Sequence, residues 1–243
     1  MRTLVTGSTG FFGTWTAKAL QGDVVLADRN NFREMLNGRY DYIYHFAPTP
    51  IESIIECAAK THAKIFYASS GAVYGGLRVK VNEDHPTNPV TDYGIEKLRN
   101  ELVLKKSGLK YCIGRLFTFC GQGMRDYFAI TAFVKALKEN KPLIVLSDPI
   151  RTYMYIEDAV RWIIYLTENE TGVYNIGSEK EISIAKLALR VSSYCIPRCD
   201  IIRSEKKFHD PAPYYVPDCS KAHEVGLYEK YDLDYGLRKM ING

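Results

Sequence analysis

Four polar side chains in the first half of the chain have types and spacings suited to proton transfer. Ser69 and Ser70 follow an apolar run that predicts a buried strand. Tyr93 and Lys97 lie four residues apart near the start of a predicted helix, so they face the same way. A free tyrosine has a pKa of about 10, and a neighbouring ammonium lowers it. The pattern predicts that Tyr93 exchanges a proton with a substrate hydroxyl to which Ser70 also hydrogen-bonds.

The spacing of Tyr93 and Lys97 occurs a second time, at Tyr235 and Lys239. Only Tyr93 follows a pair of serines at a strand end, 23 residues after Ser70. Tyr235 lies in the predicted last helix, where an amphipathic surface position explains it. We therefore expect Ser70, Tyr93 and Lys97 to be the catalytic residues.

The run Gly7-x-x-Gly10-x-x-Gly13 is a candidate dinucleotide site, because it lies between a predicted strand and a predicted helix. Gly7 permits the tight turn, Gly10 lets a pyrophosphate approach the backbone, and Gly13 lets helix and strand pack closely. The helix N-terminus offers free N–H groups to the phosphates. The charge of an oxidised nicotinamide would also favour the phenolate of Tyr93.

Asp28 ends the next predicted strand, where a carboxylate accepts the hydroxyls of the adenosine ribose. This carboxylate repels a 2′-phosphate and favours NAD. Arg29 follows immediately, and an arginine near this position can accommodate that phosphate. NAD is the expected cofactor, and NADP stays open.

Strands and helices alternate along the sequence in the order that positions these residues. Apolar runs predict strands at 4–6, 24–27, 42–46, 64–68 and 110–116, with helices at 13–20, 31–38, 50–62 and 92–107. Later helices are predicted near 126–140, 156–168, 183–194 and 232–241, with strands at 143–146 and 173–176. The alternation predicts an α/β protein with a Rossmann-like, doubly wound parallel sheet and a small C-terminal cap. We expect residues 1–117 and 151–178 to form the dinucleotide-binding domain, and 118–150 and 179–243 a small substrate-binding domain.

The composition excludes several classes of protein. With 243 residues, 46% apolar, the chain can form one core or one core plus a small cap. Its formal charge of +4 comes from scattered basic residues, which does not indicate a nucleic-acid partner; an anionic substrate and a mixed solvated surface both fit. No signal peptide or membrane span is recognisable, so a cytoplasmic location is expected. The six cysteines lack zinc-site spacing, so no metal is expected.

Eight motifs in sequence order resemble the NAD-dependent epimerase/dehydratase family, extended short-chain dehydrogenases/reductases that mostly modify nucleotide sugars. They are TGSTGFFG at 6–13, YHFAP at 44–48, YASSGAVYGG at 67–76, YGIEK at 93–97, GRLFTFCGQG at 114–123, RTYMYIEDAV at 151–160, VYNIGS at 173–178 and DCSKAHEVG at 218–226. The resemblance covers nearly the whole chain.

The resemblance implies a role for most of these motifs. Catalysis would fall to Ser70, Tyr93 and Lys97. The cofactor would be lined by Gly7, Gly10, Phe11, Phe12, Gly13, Asp28, Arg29, Phe46, Ala47, Ala68, Ser69, Tyr93 and Lys97, and the substrate by Ser70, Tyr93, Thr118 and Arg151. Arg151 would contact the diphosphate of a nucleotide sugar, although an ion pair with Glu157 or Asp158 is an alternative role. Relatives often dimerise through the Tyr-Lys helix, so a homodimer stays open.

Three departures from the family pattern carry information. Gly71-Ala72 stands where family dehydratases have an acidic pair, which argues against dehydratase chemistry. Thr118 stands where the family usually has asparagine. Only thirteen residues separate Asp28 from Tyr42, so the usual third strand, which carries an adenine contact, should be absent. Arg29 or Phe32 would then have to serve the adenine.

The resemblance leaves three functions to weigh. A nucleotide-sugar 4-epimerase, passing through a transient 4-keto sugar with Tyr93 as the base, is the expected one. A reductase of a 4-keto-sugar nucleotide would use the same residues once, with external NAD(P)H. A non-catalytic dinucleotide-binding regulator is the third, against which the intact Ser70, Tyr93 and Lys97 argue.

Overall fold

The computed structural model describes residues 1–76, 78–204 and 212–243. The strands in this part of the chain are β1 (Arg2–Thr6), β2 (Asp23–Ala27), β3 (Tyr42–His45), β4 (Lys64–Ser70), β5 (Tyr111–Leu116), β6 (Phe119–Cys120), β7 (Leu143–Val145), β8 (Ile150–Arg151), β9 (Met154–Tyr155), β10 (Gly172–Ile176), β11 (Ile182–Ser183) and β12 (Ile201–Arg203). The helices are α1 (Phe11–Ala19), α2 (Phe32–Met35), α3 (Ile51–Ala59), α4 (Asp92–Lys106), α5 (Ala129–Lys138), α6 (Ile156–Asn169), α7 (Ile184–Ser192), α8 (Ser220–Glu224) and α9 (Leu233–Asn242), and a 3-10 turn spans Gly71–Tyr74.

Six strands form one parallel sheet in the order β10-β5-β4-β3-β1-β2. The chain starts at β1, moves outward to β2, and then returns past β1 to build β3, β4, β5 and β10 on the other side. This order confirms the predicted doubly wound, Rossmann-like sheet. In such sheets ligands bind beyond the carboxyl ends of the strands, where the strand order reverses. Here the reversal lies between β1 and β3.

Successive side chains of the central strands pack under helices on opposite faces of the sheet. Ile43 and Ile65 lie in a core with α3 and α4, whereas Tyr44 and Phe66 lie in a larger core with α6. All four side chains are fully buried. Burial on both faces explains why these strands are nearly continuous apolar runs in the sequence.

β2 is the edge strand beside the glycine run. Leu26 in this strand is 47% exposed, and within the described residues no strand pairs with its outer side. The connection from Asp28 to Tyr42 contains only the four-residue α2, where a helix over 31–38 was predicted. In the part of the chain that the structure describes, no further strand lies between β2 and β3, as the short length of this connection predicted.

The other strands form two-stranded pairs outside the main sheet, namely β6 with β9, β7 with β12, and β8 with β11. β7 was predicted because it lies in the apolar run at 143–146, whereas the other five strands have two or three residues each, too few to show a periodicity, and were not predicted. α5, α6, α7 and α9 lie within the predicted helices or within a residue of them. The division of the chain into two domains stays a prediction.

The described residues contain no helix with the length and apolar character needed to cross a bilayer. They also contain no cluster of potential metal ligands, and the six cysteines are free thiols.

Candidate functional site

The glycine run forms a turn closed by backbone contacts. Gly7 has φ +67°, a left-handed conformation that favours glycine, and a Cβ there would lie 2.9 Å from the backbone nitrogen of Ala47. A Cβ on Gly13 would overlap the Gly7 carbonyl oxygen. The Gly10 N–H donates to that same oxygen at 2.9 Å. Because Gly7 and Gly13 have no side chains, the backbone of the glycine turn can contact the backbone of α1 and of the residues that follow β3.

The N-terminus of α1 is open to an anionic ligand. Gly10 is the N-cap and has no side chain to cap the helix. The N–H groups of Phe11, Phe12 and Gly13 have no hydrogen-bond acceptor within the described part of the chain. Free first-turn donors, together with the positive end of the helix dipole, suit a pyrophosphate.

Asp28 follows β2, next to this turn. Its Oδ1 accepts the N–H groups of Asn30 at 2.7 Å and Asn31 at 3.3 Å, and the side chain is half-buried. Of the two residues suggested for the adenine, Arg29 is exposed, whereas Phe32 packs against the core beneath α3. The carboxylate predicted to bind the ribose therefore lies beside the glycine turn, and of the two residues predicted for the adenine only Arg29 is exposed.

Aromatic side chains form the floor beneath the glycine run. The Phe12 ring stacks on Phe46 with 6.0 Å between centroids and meets Phe119 edge-on at 4.8 Å. Phe11 meets Phe12 edge-on at 5.3 Å. The predicted cofactor-lining phenylalanines are thus partly buried, and they tie α1 to β3 and β6.

Ser69 and Ser70 are the last two residues of β4, and their hydroxyls have different surroundings. The Ser69 Oγ donates to Glu101 Oε1 at 2.5 Å inside the protein. The Ser70 Oγ accepts the Ala72 N–H at 3.2 Å, and it lies at the carboxyl edge of the sheet. Both serines are buried, with 2% of Ser69 and 8% of Ser70 exposed, and only the Ser69 hydroxyl bonds the buried carboxylate.

Local capping places Tyr93 beside Ser70. The Thr91 side chain accepts the Gly94 N–H at 3.1 Å and begins α4. A Cβ on Gly94 would lie 2.7 Å from the Ala72 carbonyl oxygen, so this helix start packs directly on the turn after Ser70. Tyr93, in the first turn of α4, is 55% exposed.

Lys97 lies one turn further along the same face of α4. Its Nζ donates to the Ala68 carbonyl at 2.7 Å and is 5.6 Å from the centre of the Tyr93 ring. Burial lowers the pKa of Lys97 to about 8. The pKa of Tyr93 is also raised, chiefly by desolvation of its hydroxyl even though 55% of the residue is exposed, while Ser70 acts in the opposite direction. The lowered pKa of Tyr93 expected from Lys97 is therefore not a property of the protein by itself.

Tyr215 closes the other side of Ser70. Its Oη lies 3.3 Å from the Ser70 Oγ, and its ring packs on Phe117 with 4.8 Å between centroids. A Cβ on Gly71 would lie 2.6 Å from the Tyr215 Oη. The tyrosine hydroxyl thus occupies the space that a side chain at position 71 would need.

Arg151 and Thr118 lie near this group. The Arg151 guanidinium is 5.8 Å from the centre of the Tyr215 ring, and it donates to the Ala212 carbonyl at 2.8 Å. Asp158, an alternative partner for Arg151, instead pairs with Arg161 at 2.6 Å. Thr118 follows β5 at the same edge of the sheet, half-buried.

Sequence reasoning did not find Tyr215, Glu101 or Arg115. Arg115 had a usable signal, since a charged residue inside an apolar strand must be paired when it is buried. Glu101 is four residues after Lys97, on the same helical face. Tyr215 had no such signal in a chain with 18 tyrosines.

The chain matches the sequence model of the NAD dependent epimerase/dehydratase family over residues 51–177, more than half its length. The matched region contains Ser70, Tyr93, Lys97 and Arg151, and the glycine run precedes it. The match confirms the resemblance drawn from the motifs, and with it NAD as the cofactor of the family.

Individual proteins are similar to this chain at low sequence identity. The chain is 27% identical to a putative UDP-glucose 4-epimerase of Methanocaldococcus jannaschii, over 73% of this chain and 61% of that protein. It is 26% identical to UDP-glucuronic acid decarboxylase 3 of Arabidopsis thaliana, over 99% and 88% respectively. The structure is similar to that of UDP-glucuronic acid 4-epimerase from Bacillus cereus, solved with UDP-glucuronic acid and NAD, with a TM-score of 0.87, 21% identity, and 100% and 98% of the chains covered. This chain spans about three fifths of the length of the first curated relatives it matches.

Proposed function

Because the chain belongs to the NAD dependent epimerase/dehydratase family, we propose that it inverts carbon 4 of a nucleotide sugar. The observation that supports this most directly is the grouping of Ser70, Tyr93 and Lys97 at the carboxyl edge of β4, beside Gly71. An acid for water elimination is missing at position 71, whereas a proton acceptor for a hydroxyl is present. This set suits oxidation and reduction at one carbon better than dehydration.

The residues at the glycine run fit NAD. The pyrophosphate would lie against Gly7, Gly10 and Gly13, with the free N–H groups of α1 as donors. Asp28 would accept the hydroxyls of the adenosine ribose. When bound, NAD would supply the acceptor, and then the donor, of the hydride at carbon 4.

The protein's own contribution to the reaction is proton transfer and orientation. Tyr93 would take the proton of the 4-hydroxyl as the sugar is oxidised, and return it to the same oxygen as the inverted sugar forms. Ser70 would donate a hydrogen bond to that oxygen. Since the pKa of Tyr93 is raised in the protein alone, positive charge near the phenol, from Lys97 and from bound ligand, is required for this exchange.

Arg151 would bind the diphosphate of the substrate. A guanidinium can bond two phosphate oxygens in one plane, and this one lies over the ring of Tyr215, whose hydroxyl is 3.3 Å from the Ser70 Oγ. The distance between diphosphate and proton acceptor would fix which sugar carbon reaches Tyr93.

A 4-keto-sugar reductase is the alternative, and one observation favours it. Arg29 is exposed beside Asp28, where it could meet the 2′-phosphate of NADPH. The two functions differ in stoichiometry, because an epimerase regenerates its cofactor whereas a reductase consumes it.

The test combines cofactor analysis with turnover. Nucleotides released from the denatured protein are identified by mass spectrometry, and epimerisation is assayed on UDP-, GDP- and dTDP-sugars. Bound NAD with no net redox change supports the epimerase. Stoichiometric NADPH consumption by a 4-keto sugar supports the reductase and overturns the epimerase.

Tyr93→Phe should reduce turnover by about 10²-fold or more, because it removes the acid–base group, and should leave cofactor binding unchanged. Tyr235→Phe is the matched control, since the Lys239 Nζ lies 5.5 Å from the Tyr235 ring centre, much as Lys97 does from Tyr93. Undiminished turnover by Tyr93→Phe would show that the mechanism is wrong.

A further inference from the structure

A row of polar side chains crosses the sheet one residue before Ser70. Ser69 in β4, Arg115 in β5 and Asn175 in β10 are direct neighbours across the three strands. All three are buried, and only 3% of Arg115 is exposed. A charged side chain in such a place is stable only when it is paired and hydrogen-bonded.

Glu101 of α4 provides the opposite charge. Its carboxylate is fully buried and accepts Arg115 Nη2 at 2.8 Å and Nε at 3.1 Å, one on each oxygen. The Ser69 hydroxyl bonds the same carboxylate at 2.5 Å. Bidentate pairing fixes orientation as well as distance, so this turn of α4 has a defined place on β4 and β5.

Glu101 continues the helical face that carries the proposed catalytic pair. Tyr93, Lys97 and Glu101 follow one another at intervals of four residues on α4. Lys97 donates to the Ala68 carbonyl, and Glu101 accepts the Ser69 hydroxyl. Two successive residues of β4 therefore hold two successive turns of the helix.

The far end of the row reaches the segment that bears Tyr215. Arg115 Nη1 donates to the Tyr74 hydroxyl at 2.9 Å, and that hydroxyl donates to Asn175 Oδ1 at 2.8 Å. Asn175 Nδ2 in turn donates to the Asp218 carbonyl at 3.1 Å. One buried network thus contacts α4, the turn after β4, and the chain just beyond Tyr215.

We propose that Glu101, paired with Arg115, is a positioning residue that sets how closely the first turn of α4 approaches Ser70. It acts through the helix and the strand, without touching the substrate. This inference rests on the proposed roles of Tyr93 and Lys97. A displacement of about 1 Å between reacting groups can cost about 10²-fold in rate, so the placement of this helix matters to turnover.

The carboxylate also acts on the charge of Lys97. Burial lowers the pKa of Lys97 to about 8, whereas the negative charges of Glu96 and Glu101 raise it. The groups that face its ammonium are Glu96, Glu101 and Tyr93 of α4, Tyr67 of β4 at 5.0 Å from the ring centre, and His45 of β3. His45 has a pKa lowered to about 3 and is neutral at working pH. Loss of the Glu101 charge should therefore lower the pKa of Lys97 further.

The test is Glu101→Gln in the 243-residue chain, assayed with the sugar nucleotide that the substrate panel selects. We expect kcat to fall by about 10- to 100-fold with KM changed less than about threefold. The alkaline limb of the kcat profile should move to lower pH, because Lys97 loses its proton earlier. NMR of protein labelled with ¹³C at the lysine ε-carbon should report the same fall in the pKa of Lys97, independently of turnover.

Asp158→Asn is the matched control, because it neutralises another fully buried carboxylate that pairs with an arginine, on α6. It should lower Tm and leave kcat, its pH profile and the Lys97 titration unchanged. An equal fall in kcat in both variants, or an unchanged kcat and Lys97 titration in Glu101→Gln, would overturn the inference.

A second variant covers the case in which Glu101→Gln does not fold. Ser69→Ala keeps the ion pair and removes only the hydrogen bond between β4 and Glu101. A fall in kcat of about threefold or more at constant KM supports the inference, and an unchanged kcat overturns it. Tyr93→Phe is measured alongside these variants. If Tyr93→Phe retains turnover, the proposed function is wrong. If Tyr93→Phe loses turnover while the Glu101 and Ser69 variants behave as wild type, only the positioning inference is wrong.

Discussion

Gly71→Ala tests whether Tyr215 occupies the space beside Ser70. The added Cβ would lie 2.6 Å from the Tyr215 Oη and 2.9 Å from two ring carbons of Phe117, whereas ordinary contact begins at 3.4 Å. The hydroxyl must therefore move by about 0.8 Å, the difference between 3.4 and 2.6 Å. That movement would break the 3.3 Å hydrogen bond between Tyr215 and Ser70.

The expected loss of stability follows from these two effects. Overpacking of a well-packed site costs about 1–3 kcal/mol, and a lost neutral hydrogen bond costs about 1 kcal/mol. The free energy of unfolding should thus fall by about 2–4 kcal/mol. For a chain of this length Tm should fall by roughly 4–16 °C.

The assay is urea unfolding of Gly71→Ala, Tyr215→Phe and the double variant, followed by circular dichroism. Tyr215→Phe alone should cost about 1 kcal/mol. The double variant should be more stable than the sum of the single effects predicts, by about 1–2 kcal/mol, because the clashing hydroxyl is gone. Additivity to within about 0.5 kcal/mol, or a neutral Gly71→Ala, would refute the reasoning.

Two further predictions concern the interior and the glycine run. Burial lowers the pKa of His45 to about 3, against about 6.5 unfolded, so its contribution to stability is complete above pH 6.5. That contribution should be lost as pH falls towards 3, by up to about 1.4 kcal/mol per pH unit. In urea titrations at several pH values, the unfolding free energy of His45→Gln should lack this dependence on pH. An equal pH dependence in both proteins would contradict the lowered pKa of His45. Gly13→Ala, whose Cβ would overlap the Gly7 carbonyl, should destabilise the chain by about 3 kcal/mol or more. Gly10→Ala, at φ −83° and 3.2 Å from the same oxygen, should cost less than about 1 kcal/mol, and similar losses in the two variants would argue against the proposed packing.

Hydrophobic patterning predicted the main sheet because its strands are covered on both faces. The predicted strand at 42–46 became β3 (Tyr42–His45), and the predicted helix at 92–107 became α4. The same patterning fails for β8 and β11, which have two residues each and depend on a partner elsewhere in the chain. Periodicity reports the local environment of a segment, and such pairs arise from tertiary contacts.

The residues of the candidate site were likewise predictable only in part. Tyr93 and Lys97 could be placed together from the sequence because a helix brings residues at intervals of four onto one face. Tyr215 could not be placed beside Ser70, because the two lie 145 positions apart in the sequence and no local pattern encodes that approach. The direction of the pKa of Tyr93 was also beyond the sequence, since it depends on how far burial outweighs nearby polar groups.

Because β2 is an edge strand, the fold tolerates the loss of strands beyond it. A doubly wound sheet grows outward from its centre, so removal of an edge strand leaves every other pairing and register in place. The unit of β1, α1 and β2 keeps its glycine turn, and only the contacts that a further neighbouring strand would have contributed are lost. Removal of β3 or β4 would instead break two ladders at once. Shortening at this edge thus leaves the carboxyl ends of β3, β4 and β5, and the side chains that they position, where they are.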